Sequence, residues 1–166
     1  MTTRNVTLRQ MTSAEYAVAT EQREAETARV LGQVMSEAQA WERTRKGTAQ
    51  FLPDGLGTAR HHLVAAEDAE SGEVVGFAWI GPDPRQAVGT ADAAWLYDIR
   101  VLPPHRRRGY GSAMLRAAEV LVAEAGWSAL GLNVAGDNEA AIALYRRAGY
   151  EVSSMSLRKE VRPAGE

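Results

Sequence analysis

Short apolar stretches, several of them alternating with polar residues, are the first pattern along the chain, and this period of two predicts β-strands. The predicted strands are Val6 to Gln10, His62 to Ala66, Glu73 to Ile80, Ala94 to Leu102, Ala129 to Val134 and Tyr150 to Glu160. Polar residues from Asp68 to Gly72 predict a hairpin turn between the second and third strands. Prolines and glycines from Gly81 to Thr90 predict a loop, and Pro103 and Pro104 end the fourth strand because proline cannot donate to a ladder.

Apolar spacing of three to four residues predicts helices before the hairpin. The first follows a capping box at Thr12 and runs from Ser13 toward Leu31. Its apolar stripe is thin and consists of Ala14, Ala17, Val18, Ala25 and Ala28. The second starts near Ser36, runs through Trp41 to Lys46, and is expected to end at Gly47.

Two further helices follow the fourth strand. The spacing of Met114, Leu115 and Ala118 predicts a helix that starts just after Gly111, and Gly126 supplies its C-terminal cap. The last helix is expected to be capped by either Asp137 or Asn138 and to stop before Gly149.

The element order is therefore β-α-α-β-β-β-α-β-α-β. A hairpin followed by strand–helix alternation predicts an α+β, or mixed α/β, fold. We expect one mixed, mostly antiparallel sheet with helices on both faces, and residues 1–166 forming a single domain, since this length suits one domain.

Composition narrows the function classes. The formal net charge is -2, which argues against a nucleic-acid partner. The chain has no cysteine, so thiolate metal sites and cysteine nucleophiles are excluded. His61 and His62 are adjacent and, on a strand, point to opposite faces, so no metal site is expected there. No signal peptide and no membrane span is recognised, so we expect a cytoplasmic protein without a membrane partner.

The segment Gly109-Tyr110-Gly111-Ser112 carries the chemistry. The first turn of a helix presents unpaired N–H groups and the positive end of its dipole, and glycine lets a phosphate approach closely. The pattern therefore indicates a cradle for a pyrophosphate. The alternative is a tight turn before an ordinary helix. Neither a P-loop nor a dinucleotide fingerprint fits the residues.

Arg106-x-x-Gly109-x-Gly111 resembles the acetyl-CoA signature of the GNAT N-acetyltransferase superfamily, (Q/R)-x-x-G-x-(G/A). Val101 stands five residues before Arg106, where that family ends its fourth strand. Further on, Asn138-x-x-Ala141-x-x-Leu144-Tyr145-x-x-x-Gly149-Tyr150 resembles the second landmark of the family. The element order resembles the GNAT fold over nearly the whole chain.

The resemblance implies acetyl-CoA as co-substrate. In the family, the arm of the cofactor lies in a gap beside the fourth strand and bonds its main chain, and the amides of the following turn hold the pyrophosphate. The implied cofactor-binding residues are Ile99, Arg100, Val101, Arg106, Arg107, Arg108, Gly109, Tyr110, Gly111, Ser112 and Asn138. Because these contacts are largely through the backbone, the side chains of Arg107, Arg108 and Tyr110 are expected to matter little. The arginines are alternatively surface charge, and Asn138 alternatively a helix cap.

The resemblance also implies catalytic residues. Tyr145 matches the general acid of the family, since a phenol with a pKa of about 10 stays protonated at neutral pH and can protonate a leaving thiolate. The alternative is a core aromatic residue. Asp98 is the best candidate for the general base, or else a structural acceptor, because Asn133 stands where relatives often carry glutamate and cannot act as a base. His62 and Asp54 are weaker candidates.

The implied reaction moves an acetyl group directly from the thioester to a primary amine, for which we expect a small-molecule acceptor. Alternatives are a protein N-terminus or lysine, or a non-catalytic acyl-CoA-binding sensor. Many relatives close with a two-strand hairpin that shapes the acceptor pocket, but the pattern here predicts one strand, so we expect that hairpin to be missing. The first two helices and Phe51 to His62 are then expected to form that pocket. Dimers are common in the family, so a homodimer is also an expectation.

Overall fold

The computed structural model describes residues 3–86 and 92–161. The chain divides into two compact units, Met1–Asn133 and Val134–Glu166. The elements are β1 (Val6–Gln10), α1 (Ser13–Leu31), α2 (Glu37–Phe51), β2 (His62–Asp68), β3 (Val74–Pro82), β4 (Ala93–Val101), α3 (Tyr110–Glu124), β5 (Ala129–Gly131) and α4 (Glu139–Arg147). Short 3-10 helices occupy Gly55–Gly57 and Pro103–His105. All strands and α1 to α3 belong to the first unit, and α4 belongs to the second.

The described strands form one sheet in the order β1-β2-β3-β4-β5. The pairings β1–β2, β2–β3 and β3–β4 are antiparallel, and β4–β5 is parallel. This confirms the expected mixed, mostly antiparallel sheet and the β2–β3 hairpin. β3 extends through Gly81 and Pro82, so the expected loop starts later than predicted, and residues 87–90 of that loop lie outside the described part of the chain.

Helices cover both faces of the sheet, as expected. Successive residues of a strand point to opposite faces. Phe77 and Trp79 of β3 belong to the core cluster that includes Ala19 of α1, whereas a Cβ added at Gly76 would come 2.6 Å from the Met114 sulfur of α3. The first unit therefore has one core beneath α1 and α2 and another beneath α3.

The face of α1 that meets the sheet differs from the expected stripe. Ala28 is buried as predicted, but Val18 is exposed and the other buried α1 residue is Ala19. Tyr16 packs against the core cluster, and the guanidinium of Arg23 lies 4.7 Å from the centre of the Trp79 ring. Positions 16, 19 and 23 share a helix face. With few large apolar residues in α1, these long side chains determine which face packs on the sheet.

Both capping boxes at the starts of α1 and α2 are formed. The second helix, however, does not end at Gly47 but continues to Phe51. A glycine inside a helix costs only about 1 kcal/mol relative to alanine, which tertiary packing can outweigh. Here the Phe51 ring contacts the rings of Trp79 and Tyr97, and Leu52 is buried in the same cluster.

β5 is shorter than predicted and ends at Gly131 rather than Val134. A Cβ at Gly131 would lie 2.7 Å from the Trp95 ring of β4, so the absence of a side chain permits the close pairing of the two strands. After Trp95 the ladder between β4 and β5 stops.

The second unit contains α4 and an extended tail. Asn138 caps α4, with its side-chain oxygen accepting from the Ala141 N–H at 3.2 Å, and Gly149 has φ +91° just after the helix. The predicted strand from Tyr150 to Glu160 is wrong, because residues 150–161 have no strand structure. Alternating side chains define two faces, but a strand also needs a ladder partner, and the described residues of this unit include no other strand.

Candidate acetyl-CoA site

The β4 edge that faces β5 is open over the second half of the strand. β4 pairs with β5 only at residues 93–95, yet it continues to Val101. Just beyond it, the N–H of Leu102 donates to the Val75 carbonyl of β3 at 2.8 Å. Because the direction of the backbone groups alternates along a strand, those of Ile99 and Val101 point toward the open edge. This edge offers backbone donors and acceptors to a ligand.

A turn connects the open edge to α3. The Nε–H of Arg106 donates to the Val101 carbonyl at 3.1 Å, which joins the turn to the end of β4. Two residues of the turn, Arg107 with φ +59° and Gly109 with φ +87°, have left-handed backbone conformations. Left-handed residues that alternate with right-handed ones curl the chain so that successive backbone N–H groups converge. The turn is therefore shaped like an anion cradle.

The start of α3 leaves its first amides unpaired. Gly109 is the N-cap and provides no side-chain hydrogen bond, and the first backbone bond runs from the Ala113 N–H to the Gly109 carbonyl at 3.2 Å. The N–H groups of residues 110–112 thus have no acceptor within the helix. A Cβ at Gly109 would meet only the Cγ of Arg4, at 3.7 Å, so this side is open to a ligand. The helix starts at Tyr110, which places Gly111 and Ser112 in its first turn.

The side chain of Tyr110 is a structural anchor, which corrects the expectation that its identity matters little. It is buried, and its hydroxyl donates to an Asp68 carboxylate oxygen at 2.6 Å. This bond, with backbone donors at Ser71 and Glu70, lowers the pKa of Asp68 to about 2, and it raises the pKa of Tyr110. The first residue of α3 is thereby tied to the β2–β3 hairpin.

The arginines of this region differ in their surroundings. Arg106 bonds β4, whereas Arg107 and Arg108 are exposed. Arg100 points toward α1 and pairs with Glu26 at 2.7 Å. Charge beside the cradle therefore comes from Arg107 and Arg108, while the Arg100 side chain belongs to the α1 face of the sheet.

A β-bulge places Tyr97 and Asp98 on the α1 face of β4. Trp79 pairs with Asp98 and the next residue, Ile80, pairs with Leu96, so Tyr97 is the extra residue. The Tyr97 ring stacks on Trp79 at 4.4 Å between centroids. Two consecutive side chains of β4 thus lie on the same face as Trp79, next to the backbone groups of the open edge.

Asp98 is partly buried on this face. Burial raises the pKa of its carboxyl, while the charges of Arg100 and Arg23 and a hydrogen bond from the Ile99 N–H act in the opposite direction. The carboxylate and an amide of the open edge therefore lie within reach of each other. A carboxyl with a raised pKa is a suitable general base near neutral pH.

His61 and Trp79 extend the aromatic wall around Asp98. The Trp79 Nε1–H donates to His61 Nδ1 at 2.9 Å, and burial lowers the pKa of His61. Its neighbour His62 packs edge-on against Trp127, so the two imidazoles have separate surroundings as expected.

Within the described residues no group of three or more His, Asp or Glu side chains could hold a metal ion. None of the described helices is both long and apolar enough to cross a membrane.

The family model for the acetyltransferase (GNAT) family matches residues 20–150. The chain belongs to the GNAT family. It is an N-acetyltransferase, an acyltransferase, and the enzymes of its family take acetyl-CoA as co-substrate.

Named relatives agree with this assignment. The uncharacterized N-acetyltransferase YycN of Bacillus subtilis is 30% identical over 111 residues, which are 67% of this chain and 69% of that protein. The crystal structure of YycN superposes with a TM-score of 0.83 at 24% identity, over 96% of this chain and all of that one, and shows the same fold. Mycothiol acetyltransferase of Clavibacter sepedonicus is 38% identical over 95 residues, which are 57% of this chain but 29% of that longer protein.

A GNAT enzyme must hold a pyrophosphate and a peptide-like arm, and the first unit fits both. The uncapped start of α3 and the glycine at φ +87° suit an anion, and the open β4 edge suits the amides of the arm. A structural neighbour, AAC(6')-Iy, has been solved in complex with a bisubstrate analogue, CoA-S-monomethyl-acetylneamine. It shares the fold at 16% identity, with a TM-score of 0.61 over 96% of this chain and 99% of that one.

The structure brings together most of the residues predicted for the GNAT site. Ile99, Val101 and residues 106–112 form one continuous stretch of edge, turn and helix start, with Asp98 beside it. Asn138 and Tyr145 belong to the second unit, where Asn138 is the helix cap and the Tyr145 ring lies 5.7 Å from that of Tyr150. Asp54 precedes a 3-10 helix without capping it.

Sequence reasoning singled out none of Arg23, His61 and Trp79. The elements expected to form the acceptor pocket, the first two helices and Phe51 to His62, do include Arg23 and His61. Each of the three residues lies on the α1 face close to Asp98 or its bulge. The only sequence signal was the thin apolar stripe of α1, because a helix with little apolar surface can present a charged residue to the sheet.

Proposed function

We propose that this GNAT enzyme transfers the acetyl group of acetyl-CoA directly to the primary amine of a small molecule. The observation that carries the proposal is the open edge of β4, which continues without interruption into the uncapped start of α3. The bulged residue pair Tyr97 and Asp98 borders the same edge.

The backbone performs most of the binding in this proposal. The amides of residues 107–112 hold the pyrophosphate, and the main-chain groups of Ile99 and Val101 bond the arm of acetyl-CoA. The Ile99 N–H, which donates to the Asp98 carboxylate in this structure, turns to the oxygen of the thioester carbonyl once Asp98 is protonated and stabilises the negative charge that develops there. Arg106 positions the turn through its bond to the Val101 carbonyl.

Asp98 accepts a proton from the incoming ammonium, and the neutral amine then attacks the thioester carbon. Tyr145 donates its phenol proton to the departing thiolate, a role that rests on the matching position in the family landmark. No covalent enzyme intermediate is required, because the amine itself is the nucleophile.

We predict that Asp98→Asn removes the acid-side limb of the pH profile of kcat/KM. Only the ionised carboxylate can accept the proton, so the rate of the wild type should rise as pH increases through the raised pKa of Asp98. Acetyl-CoA affinity should be unchanged. Asp54→Asn is the matched control and should retain the limb. An unaltered profile in Asp98→Asn would assign proton removal to another group.

The acceptor class is tested by thiol release with a panel of amines, combined with mass spectrometry of the products. The panel contains amino acids, polyamines, aminoglycosides, and peptides with a free N-terminus or lysine. We expect acetylated small amines. Acetylation of peptides alone would favour the protein-acceptor alternative, and acetyl-CoA binding without any acetylated product would favour the sensor.

Two further proposals concern assembly. We propose that residues 1–166 work as one N-acetyltransferase domain, which is supported by the family match across residues 20–150, since this range includes parts of both compact units. A homodimer remains a prediction from the family resemblance, and sedimentation of the full chain would test it.

A further inference from the structure

Helix α1 presents two charged side chains to β4. Arg23 and Glu26 are three residues apart and therefore neighbours on one helix surface. Glu26 forms an ion pair with Arg100 of β4, at 2.7 Å. Arg23 reaches the same face of the sheet, where its guanidinium lies over the Trp79 ring, 4.7 Å from the centre.

Aromatic packing fixes the position of Arg23. Trp79 stacks with Tyr97 at an angle of 14° between ring planes, and Arg23 contacts the Trp79 ring as well. Contact with an indole face favours a guanidinium because the ring carries negative charge on its face. The cation is therefore held beside the bulge of β4 and is not a mobile surface group.

The hydrogen-bonding capacity of Arg23 is largely unused. A guanidinium has about five N–H donors. The hydrogen bond it makes to a described residue goes to the Thr20 hydroxyl and is long, 3.4 Å. Burial lowers the pKa of Arg23, and the negative charge of Asp98 acts in the opposite direction. The site thus contains a partly desolvated cation with free donors.

Arg23 and Asp98 influence each other electrostatically but form no ion pair among the described residues, unlike the adjacent pair Glu26 and Arg100. Both groups lie beside Trp79, since Arg23 lies over its ring and Asp98 is its ladder partner, so a ligand with both charges can contact the two groups together. A zwitterion fits, because its ammonium can contact the carboxylate and its own anion can contact the guanidinium.

We propose that the acceptor is an amine that also carries a carboxylate, with Arg23 binding the carboxylate and Asp98 facing the amine. The inference rests on the proposed acetyl transfer and specifies its substrate class as amino acids and similar zwitterions. Asp98 takes one proton from the ammonium. The C–N bond then forms as the C–S bond breaks, and the thiolate receives a proton from the general acid. The nitrogen's second proton restores that acid, and Asp98 releases its proton to solvent. The products are the N-acetylated amino acid and coenzyme A.

The test compares substrates that differ only in the carboxylate. Neutral α-amino acids, their methyl esters and their decarboxylated amines are assayed by thiol release with the wild type, Arg23→Gln and Arg23→Lys. We expect the wild type to favour the free carboxylate by about 10- to 100-fold in kcat/KM, the usual range for charge-assisted hydrogen bonds. Arg23→Gln should abolish this preference, because its loss of kcat/KM is much larger for free amino acids than for decarboxylated amines, and Arg23→Lys should retain part of it.

The preference is the ratio of two kcat/KM values measured on one sample of enzyme. A smaller folded fraction in a variant lowers both values equally and leaves the ratio unchanged. Arg29→Gln, an exposed arginine of the same helix, is the control and should keep the wild-type preference. An undiminished preference in Arg23→Gln, or a wild type that favours amines without a carboxylate, would overturn the proposal and leave acetyl transfer intact. Failure of every amine together with failure to bind acetyl-CoA would instead overturn the proposed function.

Discussion

Tyr145→Phe is expected to lower kcat by about 10²- to 10⁴-fold, the range for removal of a positioned general acid. The substitution deletes the hydroxyl and keeps the ring, so the ring contact with Tyr150 at 5.7 Å is preserved. A phenol suits this step because its pKa of about 10 keeps it protonated at neutral pH while a thiolate leaves. Acetyl-CoA affinity and the thermal midpoint should be nearly unchanged.

A structural tyrosine at position 145 would behave in the opposite way. Loss of a buried hydrogen bond costs roughly 1 kcal/mol of stability and spares the rate. Tyr150→Phe is the matched control, since it removes a hydroxyl from the other ring of the same pair. We expect it to retain full activity. Measuring kcat and thermal unfolding on both variants separates the two roles, and a fully active Tyr145→Phe enzyme would exclude the phenol as the acid.

Gly109→Val is expected to weaken acetyl-CoA binding by at least about tenfold. Gly109 has φ +87°, a conformation that costs a residue with a Cβ about 1 to 2 kcal/mol of free energy. Valine is also β-branched, so its χ1 angle is more restricted than that of most residues. Relaxation of that strain would turn away the amides that hold the pyrophosphate. Gly111→Val should also weaken binding by crowding the first turn. Arg107→Ala should do much less, because the turn contributes mainly backbone groups.

The other end of α3 provides a matched control for Gly109→Val. Gly126 has φ +86°, and a Cβ there would meet nothing within 4 Å. Gly126→Val thus introduces similar backbone strain far along the helix from the cradle. We expect it to lower the thermal midpoint and leave acetyl-CoA affinity unchanged in calorimetric titration. An equal loss of acetyl-CoA affinity in both variants would show that backbone strain alone, and not the cradle, accounts for the effect of Gly109→Val.

Local signals predicted most of the first unit. The capping boxes at Thr12 and Ser36 and the prolines after β4 act through neighbours in sequence, so they determine element boundaries without knowledge of the fold. The glycine spacing that indicated a phosphate cradle works in the same way, since φ +87° at Gly109 is a local requirement. The prolines and the glycines lie on one short segment, residues 103–111, which is why a candidate cofactor site could be predicted from the sequence.

Long-range contacts account for what the sequence did not predict. The Tyr110–Asp68 bond joins residues 42 positions apart, and Arg23 meets Trp79 across the helix–sheet interface. Neither contact has a periodic signature. Two predictions failed for the opposite reason: that the second helix ends at Gly47, and that Tyr150 to Glu160 forms a strand. Each rested on a local pattern alone. Packing of Phe51 overrides the glycine, and alternation without a ladder partner does not form a strand.

The claim that acetyl-CoA lies along the open edge of β4 and against the start of α3 can be tested directly by amide hydrogen exchange. Exchange of the full chain is measured with and without saturating acetyl-CoA. We predict that exchange slows at Val101 and at residues 107–112, where free amides acquire acceptors, and stays the same near Gly126. Slowing confined to another surface, such as the pocket between β1 and α3 lined by Arg4 and Arg116, with Val101 and residues 107–112 unaffected, would contradict the claim.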